Sequence, residues 1–221
     1  MTLPNFKNSS LLRRALTHRS FINEHPEEPE DNERLEFLGD AVLDFVTGSF
    51  LYNRYPEMHE GHLTRLRAAL VRTEQLAAFA RELGVGELMR LGKGEEDAGG
   101  RHRLPLLCGT FEAIIGAYFL DADVEAVRQF VEPLFGPAAE RIQREELDVD
   151  PKSLFQEWAQ SELSLTPRYR TVSATGPDHQ REFTVEVSLG DEVYGLGLGR
   201  NKQLAAQAAA REALKKAGML Q

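Results

Sequence analysis

The chain changes its hydrophobic rhythm once. Through the first two thirds, apolar residues recur at three- and four-residue spacing, the period of a helix with one face on a core. ERLEFLGDAVLDFVTGSFLYNRY, HLTRLRAALVRTEQLAAFARELG and LPLLCGTFEAIIGAYFLD carry this pattern, with Pro56, Gly61, Gly92, Gly99, Gly100 and Pro105 as punctuation. Beyond position 151 the rhythm shortens. LFQEWAQSE predicts a short helix, and RYRTVSATG, REFTVEVSLG and EVYGLGLG predict three strands from β-rich composition and partial alternation. LAAQAAAREALKKAG predicts a last helix with Gly218 as its C-terminal cap. REELDVDP, between the two regimes, is polar, acidic and closed by proline. We expect an all-α part over residues 1–145, a linker over 146–151 and a small α+β part of α-β-β-β-α order over 152–221.

Charge at first argues against a nucleic-acid partner: 26 Lys and Arg face 35 Asp and Glu, a net of −9. Divided at Asp150 the reading reverses. The first part holds 17 basic and 27 acidic residues, the last 71 residues 9 and 8, so the excess acid is confined to the first 150 residues. The single cysteine excludes an internal disulfide and a zinc site built on several cysteines of one chain. No segment approaches the ~20 apolar residues of a membrane span, and the N-terminus lacks the apolar run of a signal peptide. These features lead us to expect a cytoplasmic protein with no membrane partner and no organic cofactor.

The excess acid has a pattern. In NERLEFLGDAVLDF, residues 32–45, a turn of roughly 100° per residue puts Glu33, Glu36 and Asp40 on one narrow helix face, and Asp44 extends the stripe. Like charges one turn apart cost a few tenths of a kcal/mol each, so such a face is either solvated or neutralised by a cation. Gly39 in mid-helix costs about 1 kcal/mol against Ala, which implies a close helix approach beside the carboxylates and favours a site. Glu112 sits in the apolar run LLCGTFEAIIGAYFL. There a carboxylate is paired with an arginine at the helix edge, protonated or metal-bound. Two carboxylate-bearing helices meeting would offer hard oxygen ligands to Mg²⁺ or Mn²⁺, a donor set suited to phosphate-ester hydrolysis. A thiolate is a poor Mg²⁺ ligand, so Cys108 is expected as a small core residue. His18 is expected to fix the first loop rather than to act in chemistry.

NERLEFLGDAVL, residues 32–43, closely resembles the signature of the ribonuclease III family. ALTHRSFINE (15–24), EGHLTRLRAALV (60–71), LGKGEEDAGGRHR (91–103) and FEAIIGAYFLD (111–121) resemble its other motifs in the same order. The last part resembles a double-stranded-RNA-binding domain. The resemblance implies an all-α endonuclease domain, a linker and an α+β RNA-binding domain. It implies a homodimer that cleaves double-stranded RNA by Mg²⁺-dependent hydrolysis, with Mn²⁺ as a substitute. Products would carry 5′-phosphate and 3′-hydroxyl ends with short 3′ overhangs, and substrates would include ribosomal RNA precursors and some messenger RNA stems. Carried over by position, Glu36, Asp40 and Glu112 are metal ligands, with Asp40 and Glu112 catalytic. Glu33 and Glu60 are carboxylates near the site, and Phe37 is a dimer contact. In the second domain Gln156, Gln160 and His179 meet minor grooves. Arg200, Asn201 and Lys202 meet phosphates at a helix N-terminus, where free N–H groups and a partial positive charge favour anions.

One position departs from the family. Gly109 stands where the family has Asp, three residues before Glu112 and on the same helix face. A water could replace the lost ligand, Asp44 or Thr110 could compensate, or metal binding could be weaker. We expect cleavage to be retained. The alternative is a regulatory protein that binds duplex RNA and cuts it poorly or not at all.

Overall fold

The computed structural model describes residues 2–28, 30–177 and 181–219, with the backbone alone described at 146–149. The helical part begins with α1 (Ser9–Ala15), α2 (Arg19–Glu24) and the long α3 (Glu33–Arg54). The apolar run after Gly61 forms two helices, α4 (Glu60–Val71) and α5 (Thr73–Glu82), rather than one. Between them Arg72 is extended, at φ −65° and ψ 152°, and breaks the helix without glycine or proline. The short α6 (Val85–Leu88) and α7 (Lys93–Asp97) lead to α8 (Leu104–Asp121) and α9 (Val124–Val149).

Helix α8 is the core of this part. Leu107, Phe111, Ile114 and Ile115 are fully buried, packed with Leu35, Leu43 and Val46 of α3 and Phe79 of α5. This burial accounts for an apolar character that, by length and composition, suffices for a membrane span, contrary to the expectation from the sequence. A helix hydrophobic on all sides is one surrounded by protein or by lipid, and here ten of its residues are buried within the fold.

The chain divides into two compact units, Met1–Ile142 and Gln143–Gln221. The acidic segment expected as a linker is helical through Val149, as the end of α9. Asp150 then caps α10 (Pro151–Leu163), its side chain accepting a hydrogen bond from Ser153 N at 3.1 Å.

In the second unit β1 (Arg168–Thr175), β2 (Glu182–Leu189) and β3 (Glu192–Gly199) form an antiparallel sheet in sequence order, followed by α11 (Lys202–Lys216). Arg170 pairs across with Glu186, and Glu186 with Leu196. Phe155 and Ala159 of α10, Val185, Val187 and Leu189 of β2, and the alanines of α11 make its core, with Trp158 and Phe183 at the margin. Gly218 takes the left-handed conformation, φ +75°, just past the cap of α11.

Candidate active site and nucleic-acid interface

Helices α3 and α8 touch backbone to backbone. A Cβ on Gly39 would lie 2.6 Å from the Glu112 carbonyl carbon and 2.9 Å from Gly116 N; a Cβ on Gly116 would lie 3.0 Å from Gly39 N. This contact brings the Glu36 and Asp40 stripe of α3 to Glu112 of α8. Burial pushes the Glu112 carboxyl up to about 7, with further contributions from the negative charges of Glu36 and Asp40. Burial also raises Glu36, and Glu33 and Asp40 add to it. At both Glu36 and Glu112, burial and the negative charge of neighbouring carboxylates act in the same direction, against the ionised form.

Cys108 is buried, as expected, but it also touches the site. Its thiol donates to Glu112 Oε1 at 3.6 Å, and burial followed by the Glu112 charge pushes it up to about 12, so it remains a protonated donor at neutral pH. The i,i+4 spacing of positions 108 and 112 was the available signal for this contact. Gly109 lies under the Glu36 side chain: a Cβ there would be 2.7 and 2.9 Å from the two Glu36 carboxylate oxygens.

The remaining candidates spread outward. Glu33 is exposed in the first turn of α3, 3.5 Å from Arg19. Asp44 is exposed one turn beyond Asp40, and Glu60 is exposed at the start of α4; neither is among the groups that shift Glu36 or Glu112. The loop entering α3 is anchored by Glu28, which accepts from Arg90 at 2.6 Å and also pairs with Arg13. Arg90 additionally donates to Thr17 Oγ1 and lies 4.2 Å over the Phe21 ring. Asn32 is buried and donates to the Ala15 carbonyl at 3.1 Å, fixing the first residue before the helix. His18 caps α2 by accepting from Ser20 N, the structural role expected for it.

Phe37 projects from the outer side of α3, 80% exposed, together with Phe45 and Tyr52. Beside them lies an apolar pocket of about 310 Å³ lined by Leu38, Ala41, Val42, Phe45, Phe119 and Val124. Exposed apolar patches of this kind mark interaction surfaces.

In the second unit Gln156 and Gln160 are exposed one turn apart on α10. Asn201 caps α11, its Oδ1 accepting from Leu204 N at 2.8 Å, and Arg200 and Lys202 flank it in solvent. His179 lies outside the described residues.

The donor set suits a divalent cation. Glu36, Asp40 and Glu112 offer hard oxygens, and a positive ion would relieve the repulsion that raises Glu112. Among the described residues, no three His, Cys, Asp or Glu side chains are drawn into a ready metal-binding group, so the fit is one of charge and chemistry.

An all-helical fold with a carboxylate crossing, followed by an α-β-β-β-α fold with a cationic helix start, defines a two-part protein of nuclease and duplex-RNA-binding type. Residues 8–137 match the family model described as ribonuclease-III-like, and residues 151–217 match the double-stranded RNA binding motif. A relative from Nostoc named Ribonuclease 3 1 is 51% identical over 95% of this chain and 93% of its own length. One from Roseiflexus named Ribonuclease 3 is 49% identical over 95% and 90%. A solved nuclease domain of ribonuclease III from Campylobacter jejuni, in a study of a region involved in dimer formation, is 41% identical. It covers 59% of this chain and 88% of that one, with a TM-score of 0.55. Dicer from Pichia stipitis aligns over 97% of both chains at 27% identity and a TM-score of 0.53. The chain belongs to the ribonuclease III family.

Proposed function

We propose that this protein is a homodimeric endoribonuclease that hydrolyses phosphodiester bonds in both strands of duplex RNA, using Mg²⁺ (or Mn²⁺) held by Glu36, Asp40 and Glu112. The observation that carries this reading is the α3–α8 crossing, where Glu112 is pushed up to about 7 by burial and by two facing carboxylates. A divalent cation held there would activate a water and stabilise negative charge on the phosphate oxygens. The protein's own residues hold the site in place. Gly39 sets the distance between the two helices, Asn32 and the Glu28 anchor fix the start of α3, and Cys108 hydrogen-bonds Glu112. A water gives up a proton as its oxygen adds to phosphorus, the bond to the 3′ oxygen breaks, and the 3′ oxygen takes up a proton. The products are a 5′-phosphate and a 3′-hydroxyl, with short 3′ overhangs when both strands are cut. Arg200, Asn201, Lys202, Gln156 and Gln160 grip the A-form backbone and its 2′-hydroxyls, recognising shape rather than sequence. The substrates are structured RNAs such as ribosomal RNA precursors, and the site of action is the cytoplasm.

The dimer reading rests on the exposed Phe37 and Phe45 of α3 and on the apolar pocket that Phe45 lines together with Leu38, Ala41, Val42, Phe119 and Val124. The functional test is a long RNA duplex incubated with the protein and Mg²⁺ or Mn²⁺. Cleavage by the parent, lost in Glu112→Gln with duplex binding retained, supports the enzyme. Binding without cleavage, with cutting gained in Gly109→Asp, supports the regulatory alternative.

A further inference from the structure

Three glycines line the crossing of α3 and α8, and they do different things. A Cβ on Gly39 or Gly116 would meet backbone atoms of the opposite helix. Those two positions let the helices touch. The three atoms nearest a Cβ on Gly109 are instead Oε2, Cδ and Oε1 of Glu36, at 2.7, 2.8 and 2.9 Å. Gly109 is buried inside α8, where glycine is a poorer helix former than alanine. What fills the space over it is not the other helix but the end of a flexible acidic side chain.

Positions 109 and 112 share a face of α8, one turn apart. A carboxylate resting on Gly109 therefore stands one turn before the Glu112 carboxylate. We propose that Gly109 is a positioning residue for the divalent cation. Its missing side chain lets Glu36 reach across from α3 and take, on the face of α8, the place that a side chain at 109 would fill. Glu36 is then the acidic group serving the cation from that place. The inference rests on the metal-dependent reading above. An alanine at 109, which fills this place without supplying a ligand, pushes Glu36 away at little cost to the fold, because the atoms that must move are the free end of a side chain.

The test is Mn²⁺ binding to the RNA-free protein, followed by the electron paramagnetic resonance of unbound Mn²⁺, with melting temperatures measured in EDTA. Parent, Gly109→Ala, Glu36→Gln, Glu112→Gln and the double variant Gly109→Ala/Glu36→Gln are compared. Gly109→Ala is expected to weaken Mn²⁺ binding about tenfold, the scale of a lost supporting contact, with a melting temperature equal to or above the parent's. In the Glu36→Gln background the same alanine is expected to change affinity little, since the carboxylate it displaces is gone. Equal Mn²⁺ affinity in parent and Gly109→Ala overturns the inference and leaves the metal reading standing. So does an alanine effect that persists undiminished without Glu36. A parent that binds no Mn²⁺ in a Glu112-dependent way overturns both.

Discussion

The backbone carbonyl of Glu112 occupies the space that a side chain at position 39 would need. Alanine at 39 gains about 1 kcal/mol in helix propensity, but the atoms it meets are main chain and cannot rotate aside. The helices must separate, an overpacking cost of about 3 kcal/mol. Gly39→Ala is therefore expected to lower stability by about 2 kcal/mol net in denaturant unfolding. It should also reduce duplex cleavage well below its own melting temperature, because the same contact spaces Glu36 and Asp40 from Glu112. Gly48, also in α3, has nothing within 4 Å of a would-be Cβ. Gly48→Ala is the matched control, expected to stabilise by about 0.5–1 kcal/mol and leave cleavage intact.

Glu112 makes the metal-free protein pH-dependent. Its carboxyl sits at about 7 in the fold against an ordinary value near 4.5. The folded state thus holds this proton more tightly than the unfolded one. The stability this confers is complete below pH 4.5 and is lost as pH rises through 7. At full strength the shift is worth about 3 kcal/mol, and solvent at a half-buried group reduces that to about 1–2 kcal/mol. In EDTA, Glu112→Gln should be more stable than the parent at pH 8, and the difference should vanish by about pH 4.5. Calorimetry at a series of pH values reads this directly. Adding Mg²⁺ at pH 8 should stabilise the parent and not the variant.

The acidic stripe was legible because α3 is amphipathic: Leu35, Val42 and Val46 turn inward and leave Glu33, Glu36 and Asp40 on another side. Leu38, which stands at helical spacing from Leu35 and Val42, is only half-buried and lines the outer pocket. A helix with a second apolar side presents no single stripe, and its spacing cannot tell a core from a subunit surface. Arg72 breaks α4 from α5 with no residue that announces a break, while Pro133 and Pro137 hide α9 by sitting inside it. In β3 the usual sorting inverts. Gly195 and Gly197 face inward because Ala209 of α11 lies against them, and Leu196 and Leu198 point to solvent. Close approach there outweighs hydrophobic preference, and only the Gly–Leu alternation set against an alanine-rich helix hinted at it. Residue spacing alone did not show which carboxylates couple; the grouping of Glu36 and Asp40 with Glu112 came only from the family resemblance. Glu36 and Glu112 are far apart along the chain, and their relation depends on a glycine contact that a sequence suggests without naming the partner.

The entry to α3 should be acid-sensitive through a different group. Hydrogen bonds from Arg90 and Arg13 hold Glu28 down at about 2. Because the folded value lies below the ordinary one, the stability this confers is present above about pH 4.5 and is lost as pH falls through 2. The melting-temperature gap between parent and Glu28→Gln is expected to be constant above pH 5 and to narrow steadily below 4.5. A gap that stays constant down to pH 3 would place the effect of Glu28 elsewhere. Arg90→Ala should lose more than Glu28→Gln at every pH, since Arg90 also holds Thr17 and covers Phe21.

At the start of α11, stability and RNA affinity should separate between adjacent residues. Asn201 accepts from Leu204 N, so Asn201→Ala leaves that donor without its cap and should destabilise by about 1 kcal/mol. Asn201→Ser keeps a capping oxygen and should lose much less. Lys202 is exposed beside the cap and its removal should change stability by under about 0.5 kcal/mol. It should nevertheless weaken binding to duplexes of any sequence, and the slope of log affinity against log salt should fall by about one unit, the signature of one lost phosphate contact. Gln160→Ala, removing a group suited to a 2′-hydroxyl, should weaken binding with the salt slope unchanged. If Lys202→Ala leaves both affinity and slope at parent values, the N-terminus of α11 is not on the RNA, and the charge balance of the last 71 residues must serve something else.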